Sequence, residues 1–480
     1  MQPNLAQVKK KLEECEQSHL LKFWEDLDSK DQDEFLKELN EIPLKNINSI
    51  YKKAVKTLNN DVKQLNKCIA PIPRDQIQVA KDVTEKLLEK YLEPAYEAIS
   101  KNKVAVILLA GGQGTRLGVR YPKGMFSVGL PSEKTLFQLQ AERIRRVLEL
   151  ANSKKGRIGN ICWYIMTSES TDLQTQQYLE EHNFFELKRE NIVIFQQGVL
   201  PCFDNFGKII LSSKRSIAMA PDGNGGIYRA LQKNGILDDM DRRGIEYVHV
   251  YGVDNILVKV ADPAFLGYCI SKKADCGAKV IKKADPAEPV GVICKVDGKI
   301  KVVEYSEIDS KLASLRDENG DLLYSAGSIC NHFFTTQFLK KIAKNHEEEI
   351  PLHVAKKKIV QYNGTFIHPQ SPNGIKIEKF IFDVFQFSEN FATWEVEVNR
   401  EFSPLKNAEG KDSPATARRD LLNLHKMFIE KAGAKCESDV EISPLLSYSG
   451  ENLDKFRGKI FKSRTVIGPS GDIINGDFGI

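Results

Sequence analysis

Charge of one sign is what this sequence most lacks: 69 lysines and arginines stand against 65 aspartates and glutamates, a formal balance of +4. So even a balance excludes nucleic acid as the main partner. A small anionic substrate needs only a local cluster of Lys and Arg, which a near-neutral total can hide. No apolar run approaches the ~18 residues that a membrane span needs. The start, MQPNLAQVKKKLEECEQ, has no signal-peptide core. A membrane is therefore not an expected partner, and the expected address is cytoplasmic. The nine cysteines are odd in number and scattered from Cys15 to Cys436 without a CxxC pair. That pattern excludes a disulfide framework and a zinc cluster, and predicts reduced thiols. The eight histidines show no HExxH spacing, and no G-x-S-x-G elbow is present. What remains is a soluble globular chain of 480 residues, 41% hydrophobic and 28% charged, long enough for two to four domains around a large core.

Glycine is missing from the first 100 residues, where Leu5, Val8, Leu12 and Cys15, and later Phe35, Leu36 and Leu39, recur at helical spacing. This predicts a helical N-terminal domain over 1–102, with a loop at the two prolines of CIAPIPRDQI (68–77). The texture changes at Lys103. VAVILLA (104–110) reads as a strand buried on both faces, and a helix follows over 134–152. NICWYIMT (160–167), IVIF (192–195), YVHVYGV (247–253) and stretches around 278–281 and 290–294 read as further strands, with helices between. Such alternation predicts an α/β domain over 103–387, a Rossmann-like, doubly wound, mostly parallel sheet with ligands beyond the carboxyl ends of its strands. The remainder, 388–480, reads as a small C-terminal domain: a helix from Ser413 to Gly433, then a β-rich tail from Gly458.

The stretch LLAGGQGTRLGVRYPKG (108–124) carries the chemistry. Gly111, Gly112, Gly114 and Gly118 directly follow the first strand. Successive exposed N–H groups in such a loop make an anion-binding nest, which a ligand can approach closely. Thr115 adds a hydroxyl, Arg116 a planar fork for phosphate oxygens, and Lys123 a compact positive charge. Neither the P-loop GK[ST] nor G-x-G-x-x-G is present.

This stretch resembles the G-G-x-G-T-R-L-G…P-K signature of the sugar nucleotidyltransferases, and in detail the eukaryotic UDP-N-acetylglucosamine pyrophosphorylases. QQG (196–198), MAPDGNGGIYRAL (219–231), VDNILVKVADP (253–263), EPVGVIC (288–294), VVEYSEI (302–308), NHFF (331–334), PNGIKIEKFIFDVFQF (372–387) and EFSPLKNA (401–408) agree with it, across roughly residues 100 to 450. The resemblance implies the A-type nucleotidyltransferase sheet, UTP and an N-acetylhexosamine 1-phosphate as substrates, and Mg²⁺ or Mn²⁺ as cofactor; a homodimer is compatible with it. It assigns the triphosphate to Arg116 and Lys123, beside the strand end at Leu109 and the loop of Gly111, Gly112, Gly114 and Thr115. Asp254, at the end of YVHVYGV, is the implied metal ligand, and Asp222 a weaker second candidate; the alternative for either is a loop-capping Asp. Uracil falls to the Gly112 backbone, Gln197, and the main chain around Gly223 and Asn224. Gly291 and Glu304 would read the sugar, Lys376 and Lys406 would face its phosphate, and Phe380 and Phe382 the acetamido group. One departure stands out. The family's AGNI is AGSI here, so Ser328 replaces an expected asparagine amide with one hydroxyl. That leaves glucose 1-phosphate open as an acceptor. A catalytically silent nucleotide-sugar-binding protein is the other alternative, which retention of Arg116 and Lys123 disfavours.

Overall fold

The computed structural model describes residues 4–42, 44–58, 68–476 and 478–479. The chain divides into two compact units: Met1–Gln64 with Gln197–Arg229 and His346–Asp383, and Leu65–Gln196 with Ala230–Asn345 and Val384–Ile480. This division cuts across the three contiguous domains expected from the sequence, because each expected boundary separates residues that share one core.

In the first unit, amphipathic helices Leu5–Glu14 and Ser29–Glu41 begin at Asn4 and Asp28, whose side chains cap their first turns. Val8, Leu12, Phe35 and Leu39 pack with Leu200, Phe203, Ile375 and Ile377 in one cluster. The N-terminal helices thus take their apolar partners from segments more than a hundred residues away. Those segments are short antiparallel strands: Val199–Pro201 pairs with Met219–Pro221, and Gly374–Glu378 lies between His353–Lys357 and Phe203–Asp204.

The second unit holds the large sheet. Its main strands are β1 (Ile77–Val79), β2 (Val104–Leu109), β3 (Cys162–Thr167), β4 (Ile192–Gln196), β5 (Tyr247–Gly252), β6 (Cys276–Lys282), β7 (Ala326–Thr335) and β8 (Phe391–Val396). Their order is β1-β8-β6-β7-β5-β2-β3-β4. All pair in parallel except β7, which runs against both β5 and β6. Helices Glu85–Ser100, Leu136–Lys155 and Pro263–Ser271 contribute Tyr91, Ile99, Phe137, Ile144 and Phe265 to the core that covers it. Glu85–Ser100 therefore belongs with the sheet and not with the N-terminal helices.

The segment read as a loop at 68–77 instead ends in two short strands: Ile69–Pro71 pairs with Val292–Val296, and β1 extends the sheet edge. A strand of three residues leaves no periodicity to read. Helix Pro414–Lys431 starts, as expected, at Ser413 in a capping box with Thr416. It shares a core with Leu117, Val128, Leu136 and Leu139, so the C-terminal segment has no hydrophobic core of its own. Two three-stranded sheets complete it.

Candidate active site

Strand order reverses between β2 and β5, which pair so that Leu109 faces Gly252. A sheet of this kind opens a crevice where two adjacent crossovers leave in opposite directions. The glycine loop leaves β2 at Ala110, and Val253–Asp254 leaves β5 beside it, tied by Val253 N–H donating to the Leu109 carbonyl at 3.2 Å.

Inside the loop, the Gly114 and Val119 amides donate to the Tyr121 and Gly114 carbonyls at 3.2 Å each, and Lys123 N–H to the Gly112 carbonyl at 3.3 Å. The Ser168 hydroxyl fastens the Gly111 carbonyl at 2.8 Å. The backbone is thereby closed on itself, with Gly112, Thr115 and Arg116 exposed. Nothing lies within 4 Å of where a Cβ on Gly112 would stand. Among the described residues its N–H makes no hydrogen bond, as a nest open to an anion or a base edge requires.

Lys123 is half-buried, and its ammonium donates to the Leu405 carbonyl at 3.1 Å. Burial lowers its pKa first, and the positive charges of Arg116 and Lys406 lower it further, while Asp254 opposes them. Two cations and one carboxylate therefore act on Lys123 at this strand end. The Asp254 carboxylate makes no hydrogen bond or ion pair among the described residues, and its main-chain carbonyl accepts from Leu405 N–H at 2.9 Å. No group of three or more His, Cys, Asp or Glu side chains that could hold a metal exists among the described residues. A lone carboxylate beside a phosphate nest nevertheless fits Mg²⁺, which keeps several waters and takes one or two carboxylates plus phosphate oxygens. Lys406 lies 4.0 Å from Asp412 and lines, with Val290, a cavity of about 500 Å³, a size that holds a small ligand.

Gly291, Glu304 and Ser328 lie close together. Ser328 N–H donates to the Gly291 carbonyl at 2.8 Å, and a Cβ on Gly291 would stand 2.8 Å from Glu304 Oε1. The hairpin Val292–Val296/Lys299–Val303 creates this closeness.

The first unit carries the other predicted groups. Asp222 N–H donates to the Gly198 carbonyl at 3.1 Å, and Lys379 N–H to the Asp222 carbonyl at 2.7 Å. Gly223 sits at φ 85°, ψ 173°, and its hydrogen faces the Lys379 carbonyl where a Cβ would approach to 2.4 Å. Asn224 Oδ1 accepts from Ile381 N–H at 3.0 Å. These bonds hold QQG, DGNGG and KFIF as one surface with Gln197 partly exposed on it. Phe380 stacks on His353 with centroids 4.1 Å apart, and Phe382 packs against Phe380 at 5.2 Å. Lys376 pairs with Glu378 at 2.8 Å.

Asp222 is buried. Its carboxyl lies beneath Gly198 and Gly226, only 4% of the residue is exposed, and Oδ1 has no hydrogen-bond partner among the described residues. Burial pushes its pKa up to about 6, against the pull of Arg229 and Lys379. Its side chain supports the loop from below. The sequence also gave no sign of His353 beneath Phe380, or of the buried cluster of Lys259, Asp262, Lys279 and Glu401 behind Asp254. Lysines in alternating strands read as solvent-facing.

The UTP–glucose-1-phosphate uridylyltransferase family (UDPGP) matches residues 44–455. The human UDP-N-acetylhexosamine pyrophosphorylase-like protein 1 is 47% identical, with 96% of both chains covered. The UDP-N-acetylglucosamine pyrophosphorylase of Saccharomyces cerevisiae is 42% identical, over 95% of this chain and 98% of its own. Among solved structures, the uridine diphosphate N-acetylglucosamine pyrophosphorylase of Trypanosoma brucei superposes with a TM-score of 0.83 at 30% identity, over 94% of each chain. The UDP-glucose pyrophosphorylase of Leishmania major, at 17% identity and TM-score 0.59 over 79% of this chain and 77% of its own, shares the fold. Matched by the family over residues 44–455 and by relatives along nearly its whole length, the chain belongs to the UTP–glucose-1-phosphate uridylyltransferase family.

Proposed function

We propose that this protein joins UTP to N-acetylglucosamine 1-phosphate, giving UDP-N-acetylglucosamine and pyrophosphate, with the N-acetylgalactosamine ester as a second acceptor. The observation that carries this reading is the mutual placement of Lys123, Arg116, Lys406 and Asp254 at the carboxyl ends of β2 and β5. Names borne by relatives at 42–47% identity support it.

In the step, a sugar-phosphate oxygen attacks the α-phosphorus of UTP in line with the bond to the β-phosphate. One P–O bond forms, the α–β bridge breaks, and its electrons leave on pyrophosphate. The nucleophile is already ionised at neutral pH, so no strong base is required. The residues position and neutralise. The glycine-loop amides and Arg116 take triphosphate oxygens, and Lys123 meets the charge that grows on the leaving pyrophosphate. Asp254 would hold Mg²⁺, which neutralises phosphate charge when bound. Lys406 orients the acceptor phosphate. The Gly112 amide meets an edge of uracil. Glu304 accepts from sugar hydroxyls.

Ser328 favours one second reading, in which glucose 1-phosphate is also accepted, because its hydroxyl offers less to an acetamido group than an amide would. We place the reaction in the cytoplasm, a reducing compartment that suits nine cysteines none of which is in a disulfide. Among the described residues no helix is long and apolar enough to cross a membrane. A homodimer is the proposed assembly, to be read by sedimentation. The test of the reaction is pyrophosphate release from UTP and Mg²⁺ with each of the three sugar phosphates supplied alone. Release with an N-acetylated ester supports the reading. Release with none, from protein that binds UDP-N-acetylglucosamine, replaces it with a silent binding protein.

A further inference from the structure

Near Asp254 the second unit buries three charges, Asp262, Lys279 and Glu401, beside a partly exposed fourth, Lys259. Lys279 is fully enclosed, and its ammonium meets Asp262 Oδ2 at 2.6 Å and also Glu401 Oε2. Lys259 reaches Glu401 Oε1 at 3.3 Å. Asp262, Lys279 and Glu401 are each at least nine-tenths buried, and such a group is held only where its partners compensate the lost hydration.

Glu401 opens the segment EFSPLK, and each of its next links runs toward the phosphate groups. Asn255 Nδ2 donates to the Glu401 carbonyl at 2.7 Å, and Asn255 Oδ1 accepts from Ser403 N–H at 3.0 Å. Ile256 N–H donates to the Ser403 carbonyl at 3.2 Å, and Leu405 N–H to the Asp254 carbonyl at 2.9 Å. Lys123 then donates to the Leu405 carbonyl at 3.1 Å, and Lys406 is the next residue. The other partner, Asp262, is fixed independently: it caps helix Pro263–Ser271, and its neighbour Ala261 donates to His249 Nδ1 at 3.0 Å. One end of the cluster is thus anchored in the sheet, while the other opens a segment held by backbone bonds and by the side chains of Asn255 and Asp420.

We infer that Lys279 and Glu401 are positioning residues for nucleotidyl transfer: their buried pair sets the register of segment 401–406 against 254–257, and so places the Lys123 and Lys406 ammoniums relative to Asp254. The inference rests on the phosphate role of Lys123 proposed above. Neither residue touches substrate. A buried pair is no guide to stability, since well-packed apolar residues often replace one without loss. Two carboxylates around one lysine serve to fix geometry.

The test is a double-variant cycle in kcat on the full chain. Glu401→Gln keeps shape and removes charge. Misplacing a phosphate-binding ammonium by a fraction of an ångström lowers kcat about 10- to 100-fold, with the UTP KM within about twofold because the loop amides and uracil contacts are untouched. In a Lys123→Ala background the same change adds less than about threefold, since one of the two groups it positions is gone. Full multiplication of the two losses would overturn the inference, as would wild-type kcat for Glu401→Gln. A loss of kcat that tracks the folded fraction read by circular dichroism, with KM unmoved in every variant, would also overturn it. If Glu401→Gln does not fold, Lys259→Met carries the test. Its side chain is 23% exposed, and its loss leaves Glu401 paired with Lys279, so a drop of about two- to fivefold with the same non-additivity is expected. Wild-type turnover by Lys123→Ala alone would instead overturn the phosphate reading, and this inference with it.

Discussion

Replacing Gly112 by alanine separates the needs of the ligand from the needs of the fold. No heavy atom stands within 4 Å of the added methyl, and Gly112 is not among the glycines with positive φ. The free protein therefore has neither a clash nor a strained backbone to accommodate. Its stability is expected within about 0.5 kcal/mol of wild type, as for an exposed substitution away from special features. UTP meets the methyl. If uracil approaches the Gly112 amide, at least one hydrogen bond of about 0.5–1.5 kcal/mol is lost, which is about 2- to 13-fold in affinity. Overlap of the base with the methyl adds to that. Calorimetric titration with UTP and thermal unfolding of the same preparation measure both quantities. Unchanged UTP affinity would refute the reading of the loop as a base and phosphate cradle. A large fall in melting temperature would refute the statement that the fold leaves this position free.

Gly223→Ala is the converse: φ 85°, ψ 173° is a glycine-only region that costs other residues about 1–3 kcal/mol. Its methyl would stand 2.4 Å from the Lys379 carbonyl, so the melting temperature should fall; an unchanged melting temperature contradicts the packing described. For Asp222 the sign follows from a folded pKa of about 6 against 3.8. The protonated carboxyl is the one the fold prefers, so its stability contribution is full below pH 4 and lost as pH rises to 6. Two pKa units are roughly 3 kcal/mol. Wild type should therefore lose about that much relative to Asp222→Asn between those pH values in denaturant titrations, and a pH-independent difference contradicts the buried, unpartnered carboxyl. Ser328→Asn should raise kcat/KM for N-acetylglucosamine 1-phosphate over glucose 1-phosphate. An unchanged ratio removes Ser328 from the determinants of specificity.

The local parts of this architecture were legible in the sequence. Val104–Leu109 is a continuous apolar run because it is buried on both faces, and the glycines after it announce a loop that a ligand approaches. Ser413, Pro414 and Gly433 bracket their helix as capping chemistry requires. What the sequence hides is contact over long separations. Nothing in Val8 or Phe35 says that their partners are Phe203 and Ile377, so the first unit reads as helices alone. Strand β7, the one antiparallel member of the eight main strands, carries Ser328 and Asn331 in a run too mixed to announce a strand. Lys279 lies in β6 with the composition of a surface residue, and its burial depends on two carboxylates 17 and 122 positions distant. Asp222 was legible as a residue of the uracil loop but not in its orientation, which two neighbouring glycines decide.

The most direct measurement is ³¹P NMR of the full-length protein with UTP, Mg²⁺ and N-acetylglucosamine 1-phosphate. The account predicts that the diphosphate resonances of the UDP-sugar and that of pyrophosphate grow in a one-to-one ratio as UTP and the sugar ester disappear together. Formation of UDP with inorganic phosphate, or an unchanged spectrum from folded protein that binds UTP, would contradict attack at the α-phosphorus and with it the assignment of Lys123, Arg116, Lys406 and Asp254.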